Sequence, residues 1–178
     1  MFTAINPATG DELSTHANTT STGVEEIVVA AHAAQQDWRK SSIGKRTDRL
    51  DSLGHLLRER SGEYGALMTR EMGKPITQAV GEAEKCAGVC DYYAEHAESQ
   101  LSPVPAVTDA TRSFWIHRPL GVVLGIMPWN FPFWQAIRFA APALTAGNGV
   151  LLKHAPSVPG CALALETLFA DAGYPPGL

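Results

Sequence analysis

Residues Gly121 to Lys153 constrain the fold more tightly than any other stretch. Gly121 to Met127 (GVVLGIM) is a short run of branched apolar residues without alternation, which suits a strand covered on both faces of a parallel sheet. Pro128 ends that strand, leaving Trp129 and Asn130 at its carboxyl end, where open α/β sheets place ligand-binding groups. An apolar helix is expected from about Pro132, interrupted by one charge, Arg138. Asn148-Gly149 supplies a turn signal, and Gly149 to Leu152 makes a second apolar run ending at Lys153. Strand, helix and strand with a crossover of this length read as a right-handed βαβ unit. Asn130 and Lys153 then stand on one edge of the sheet.

Composition narrows the function classes. With 45% hydrophobic and 18% charged residues and a net charge of −4, the chain reads as globular. The 14 basic residues are scattered, with at most two adjacent and no basic stripe, so no nucleic-acid partner is expected. Pro128, Asn130, Pro132 and Arg138 break the only apolar region that could approach a membrane span. The start, MFTAINPATG, has neither a basic head nor an apolar segment, so a cytoplasmic location is expected. Three cysteines, Cys86, Cys90 and Cys161, cannot form a closed disulfide set and are expected as buried reduced thiols. The six histidines are scattered without ligand spacing, and no metal is expected.

The other segments read as support for that edge. Phe2 to about Thr20 is expected as a hairpin, and Thr22 with Glu25 fits a capping box for a helix running to about Arg39. Ile27, Val28, Ala31, Ala34 and Trp38 form its expected buried stripe. A second helix spans about Ile43 to Arg60, with Ile43, Leu50, Leu53 and Leu57 inward and Arg46, Arg49, Arg58, Glu59 and Arg60 wet. Glu63 to Met72 is a third helix, stopped by Gly73 and Pro75. Ile76 to Gln100 is the longest, with Glu82, Glu84, Glu95 and Glu98 on its expected wet side. Thr111 to His117 reads as a strand paired with the N-terminal hairpin, and a last helix opens at Pro159-Gly160 and reaches about Asp171. A sheet of two strands has exposed edges and half a core, so these residues are expected to be part of something larger. Neither G-x-G-x-x-G nor a P-loop motif is present.

Four stretches carry a family resemblance: INPATG near the start, REMGKP at Arg70 to Pro75, RPLGVVLGIMPWNFP at Arg118 to Pro132, and LLKHAP at Leu151 to Pro156. In this order they resemble the aldehyde dehydrogenase superfamily, and within it the succinate-semialdehyde dehydrogenases, over essentially the whole chain. The resemblance implies an α/β chain forming the N-terminal part of that fold. Helices come with the start of a parallel Rossmann-like sheet and part of a β oligomerisation element. Residues 1–20 and 106–118 would be strands of that element, 21–105 the helical part of the cofactor-binding domain, and 119–178 the start of its sheet. It also implies NAD or NADP as cofactor, a small aldehyde such as succinate semialdehyde as substrate, and a homo-oligomeric full-length enzyme.

The same resemblance implies roles for particular residues. In the family a cysteine thiolate attacks the aldehyde, and Asn130 matches the side-chain amide that donates to the resulting oxyanion. Its plainer reading is a helix N-cap ahead of Pro132. Lys153 matches the lysine that contacts the adenine-side ribose, against a plain solvated lysine, and the backbone of Ile126, Met127, Pro128 and Trp129 is expected to line the cofactor cleft. Where many relatives carry a glutamate that would repel a 2′-phosphate, this chain has Pro156, so NADP is expected to be tolerated. Arg138 matches the arginine that grips the substrate carboxylate, on one broad helix face with Phe131, Trp134 and Gln135. The alternative is an arginine paired with a structural carboxylate. None of the three cysteines stands in the nucleophile's motif, so the 178 residues alone are expected to be inactive. A second possibility is a non-catalytic product that associates with intact subunits.

Overall fold

The computed structural model describes residues 1–178. The chain opens with an antiparallel hairpin of β1 (Phe2–Ile5) and β2 (Glu12–His16). Four helices follow: α1 (Ser21–Trp38), α2 (Ile43–Glu59), α3 (Ser61–Met72) and α4 (Ile76–Leu101). A second small hairpin joins β3 (Val104–Pro105) to β4 (Phe114–Trp115). The central unit is then β5 (Val122–Ile126), α5 (Pro132–Thr145) and β6 (Gly149–Lys153), and α6 (Pro159–Asp171) comes last. No helix is long and apolar enough to cross a membrane.

β5 and β6 pair in parallel, from Val122 opposite Gly149 to Ile126 opposite Lys153, so the expected strand–helix–strand unit is present. Its two faces are covered unequally. Gly149 lies against Gln35 of α1, while Gly125 lies against the Phe139 ring of α5. Given the register, these two glycines point to opposite faces. A Cβ on Gly125 would come within 2.7 Å of the Phe139 ring, so only glycine allows α5 this close. The face turned away from α5 stays open toward the carboxyl end: Leu124 is 58% and Ile126 73% exposed. The expectation of a strand covered on both faces therefore fails at this end, because α1 reaches only the Gly149 end. On the far side of β6 the Val150 amide donates to the Leu178 carbonyl at 2.7 Å.

One apolar core joins all six helices, α1 through Trp38. Leu50, Leu53 and Leu57 of α2, Met68 of α3, Cys86 and Cys90 of α4, Phe133 and Ile137 of α5, and Leu165 and Leu168 of α6 are all buried in it. At α1 the expected stripe is only half right. Ala31 and Trp38 are buried together with Gln35, whereas Ile27 and Val28 remain exposed. Gln35 is inside because it has work there: its Nε2 donates to the Gly147 carbonyl at 3.0 Å, and Trp38 Nε1 donates to the Leu144 carbonyl at 2.8 Å. Together they satisfy carbonyls at the end of α5.

Four further local readings are corrected. α1 is capped by Thr20, whose hydroxyl accepts from the Gly23 amide at 3.1 Å, and not by a Thr22–Glu25 box. The left-handed turn after α5 is Gly147 (φ 89°), while Asn148 bridges α5 to β5, donating to the Ala143 carbonyl and accepting from the Leu120 amide. β4 pairs with β3 rather than with the N-terminal hairpin, because closing the short loop between them costs less chain entropy than a distant pairing. Arg46 and Arg49 are half-buried rather than wet. Arg46 rests on Gly147 beyond the end of α5, and Arg49 on Gly173 beyond α6, where a cation complements the carboxyl end of a helix dipole.

Candidate functional site

The carboxyl ends of β5 and β6 meet at one edge. Ile126 and Lys153 are register partners, so their side chains project to the same open face, and the Met127 amide donates to the Lys153 carbonyl at 3.0 Å. Lys153 is exposed, its ammonium donating to the His154 carbonyl at 2.7 Å. On the opposite, α5-covered face a small recess is lined by Met127, Pro128, Pro132, Leu152, His154 and Val158. Trp129 stands exposed just beyond it.

Asn130 is exposed between β5 and α5 and does not cap the helix. The cap position falls on Phe131, which supplies no side-chain bond. The work is done from outside: Glu82 of α4 accepts from the amides of Phe133 and Trp134, both at 3.0 Å, through Oε1. Glu82 was expected on the wet side of its helix, yet its side chain is 2% exposed and paired with the buried Lys74. Lys74 in turn lies 3.8 Å from the centre of the Phe131 ring. An ordinary Asn at this place would spend its oxygen on a helix amide. Here Glu82 has taken those amides.

Phe131, Gln135 and Arg138 recur at helical spacing on the side of α5 away from the core, and the Arg138 guanidinium donates to Gln135 Oε1 at 3.0 Å. That partner is an amide, not a structural carboxylate. Trp134, four positions before Arg138, is half-buried like Gln135, with the Lys85 ammonium 3.9 Å from its ring. The exposed edge thus carries a neutral donor, Asn130, followed by a stripe that ends in a guanidinium.

α6 repeats the capping device. Pro159 opens it, no local side chain caps it, and Glu71 of α3 accepts from the Gly160 amide at 2.7 Å and the Cys161 amide at 2.8 Å. Both helix N-termini at this edge are therefore filled by carboxylates. The seat where a Rossmann-type unit usually places a pyrophosphate is taken, which agrees with the absence of a glycine fingerprint.

The cysteines are unsuited to nucleophilic chemistry. All three are free and buried. Burial pushes the thiols of Cys86 and Cys161 far up, with Glu82 and Glu71 respectively adding to it, and pushes Cys90 up to about 12. At pH 8 a thiol-specific reagent is expected to label none of them in the folded protein and all of them after denaturation; rapid native labelling of any one would contradict their burial. Unfolding lets the thiol of Cys90 ionise at its ordinary 9.0. Its contribution to stability is thus full below pH 9 and is lost as pH rises from there toward 12.

Sequence reasoning had singled out Asn130, Lys153 and Arg138 but missed Glu82, Lys74 and Glu71. At α5 the sequence masked the need for Glu82, because Asn130 was itself a cap candidate; only the structure shows that both proline-opened helices take their acceptors from elsewhere.

The family model for the aldehyde dehydrogenase family matches residues 1–178. The chain belongs to the aldehyde dehydrogenase family. It is 46% identical over 175 residues to the succinate semialdehyde dehydrogenase [NAD(P)+] of Escherichia coli K12, covering 98% of this chain and 38% of that protein. To the succinate-semialdehyde dehydrogenase [NADP(+)] 1 of Mycobacterium tuberculosis H37Rv it is 45% identical over 176 residues, covering 97% of this chain and 38% of the relative. The crystal structure of succinic semialdehyde dehydrogenase from Streptococcus pyogenes in complex with NADP+ superposes with a TM-score of 0.95 at 35% identity, over 99% of this chain and 39% of that one. This aldehyde dehydrogenase chain spans about 38% of the length of the curated relatives it matches.

Proposed function

We propose that these residues are a portion of an NAD(P)-dependent aldehyde dehydrogenase that oxidises succinate semialdehyde to succinate. The observation that carries the reading is the exposed edge at β5 and α5, where an uncommitted amide, Asn130, precedes a stripe ending in Arg138, whose partner is only Gln135. An aldehyde with a distal carboxylate suits such a pair. Asn130 donates to the oxygen that gains charge when a thiolate adds to the carbonyl, and a neutral donor already in place needs no reorganisation. Arg138 holds the carboxylate with parallel N–H bonds, Gln135 steadies the guanidinium, and Phe131 walls the chain between them.

The residues at the sheet edge fit the adenosine end of a dinucleotide. Lys153 offers an ammonium to ribose hydroxyls, Ile126 and Met127 present backbone beside it, and Trp129 lies beyond. The phosphates are not held at the first turns of α5 or α6, because Glu82 and Glu71 occupy those amides. When bound, the nicotinamide accepts the hydride. Pro156 places no carboxylate near a 2′-phosphate, and the relatives named above are an NAD(P)+ and an NADP(+) enzyme, so both cofactors are admitted.

The thiolate comes from outside these residues, since Cys86, Cys90 and Cys161 are buried as neutral thiols. Residues 1–20 and 106–118 belong to an oligomerisation element, 21–105 and 119–178 to the cofactor-binding domain. The exposed Phe114 and Trp115 of β4 suit burial in a homo-oligomer. A full-length enzyme carrying this segment, made by substituting the 178 residues for the matching segment of the E. coli relative, tests the reading. It is expected to reduce NAD and NADP with succinate semialdehyde, and the 178 residues alone to reduce neither. Turnover by the short chain, or a folded full-length enzyme without activity on this aldehyde, would contradict it.

A further inference from the structure

α5 begins without any cap of its own. Phe131 stands at the cap position, and Pro132 has no N–H, so the first amides needing an acceptor are those of Phe133 and Trp134. Asn130 precedes Phe133 by the spacing at which an Asn side chain ordinarily caps a helix. Left alone, its carboxamide would turn back onto that amide and its own oxygen and orientation would be committed. Glu82 prevents this by accepting from both amides with Oε1. Its second oxygen binds Lys74, and the pair is nearly sealed from water, with side chains 2% and 7% exposed. The Lys74 ammonium then rests on the Phe131 ring, fixing the residue next to Asn130 as well.

We infer that Glu82, backed by Lys74, is a positioning residue that keeps the Asn130 amide free to serve the reacting oxygen. The inference rests on the proposed role of Asn130. Neither Glu82 nor Lys74 touches substrate in this account. They act by holding residues 131, 133 and 134, and the consequence is a coupling between Glu82 and Asn130 that a purely structural carboxylate would not produce. Removing Glu82 alone would leave Lys74 as a buried unpaired charge, so the informative variants change both.

The experiment measures kcat and KM in the full-length enzyme carrying this segment, per titrated active site. Asn130→Ala alone is expected to lower kcat by about 10²- to 10³-fold, the usual effect of losing one oxyanion donor. Glu82→Ala with Lys74→Met is expected to lower kcat by about 10²- to 10³-fold, as Asn130→Ala does, with KM little changed, because Asn130 turns to cap α5. Adding Asn130→Ala to that background should then cost less than about threefold, the non-additivity expected of residues acting as one unit. Glu82→Gln with Lys74→Met keeps an amide oxygen as acceptor without orphaning a charge, and should hold kcat within about threefold of the parent. An equal cost of Asn130→Ala in both backgrounds would overturn the inference alone. So would a Glu82→Ala, Lys74→Met enzyme that loses thermal stability but keeps its kcat, or a folded Glu82→Gln, Lys74→Met enzyme more than about tenfold slower. An Asn130→Ala enzyme with unchanged kcat would remove the role of Asn130 itself, and this inference with it.

Discussion

Arg138→Ala in the full-length enzyme is expected to lower kcat/KM for succinate semialdehyde by about 30-fold or more, while an uncharged aldehyde of similar length changes by less than about threefold. Losing a charge-assisted bidentate contact costs about 2 to 5 kcal/mol when the partner carboxylate is desolvated, and about 2 kcal/mol corresponds to the 30-fold figure. The lower end applies because the guanidinium is exposed here and held by one amide oxygen of Gln135. Most of the loss should appear in KM, since the carboxylate is gripped alike in the ground state and the transition state. Arg138→Lys should recover only part of it, because an ammonium cannot form the paired fork. Steady-state kinetics on the two aldehydes check this directly. Equal losses on both would mean that Arg138 supports the helix rather than the substrate.

Asn130→Ala should leave substrate affinity nearly intact and remove about 2.7 to 4 kcal/mol of transition-state stabilisation, seen as a fall in kcat of about 10²- to 10³-fold. The structure sharpens this expectation in one way. Had Asn130 been the helix cap, its loss would cost about 1 kcal/mol of stability and lower the melting temperature. With Phe133 and Trp134 already bonded to Glu82, the variant should melt near the parent temperature. Intact stability with collapsed kcat is the expected pair of readings. A lowered melting temperature with preserved kcat would return Asn130 to the role of a cap.

What the sequence made legible follows from the range of the interactions concerned. The β5–α5–β6 unit could be read because its pattern is local: an apolar run, Pro128 as a stop, Pro132 as a helix start, and a second run ending at Lys153. The core positions Leu50, Leu53, Leu57, Cys86 and Cys90 could be read from helical spacing for the same reason. Gln35 and Glu82 could not, because a polar residue on a helix gives no local sign that it will meet a distant amide or carbonyl. Gln35 meets Gly147, and Glu82 meets the start of α5. The start of α5 hides its need as well, since Asn130 stands where it could cap the helix itself. The β3–β4 pairing was missed because two-residue strands carry almost no pattern. The names of the site residues came from the resemblance, while the structure added that Asn130 is uncommitted and that Arg138 has no carboxylate of its own.

The central claim is that Asn130 and Arg138 address the two ends of one substrate, and a crystal structure of the full-length enzyme with its nucleophile removed and succinate semialdehyde bound tests it most directly. The carbonyl oxygen should lie within about 3.2 Å of the Asn130 amide nitrogen and the carboxylate at similar distance from the Arg138 guanidinium. A carboxylate held elsewhere, or an Asn130 side chain turned onto the Phe133 amide with substrate in place, would contradict it.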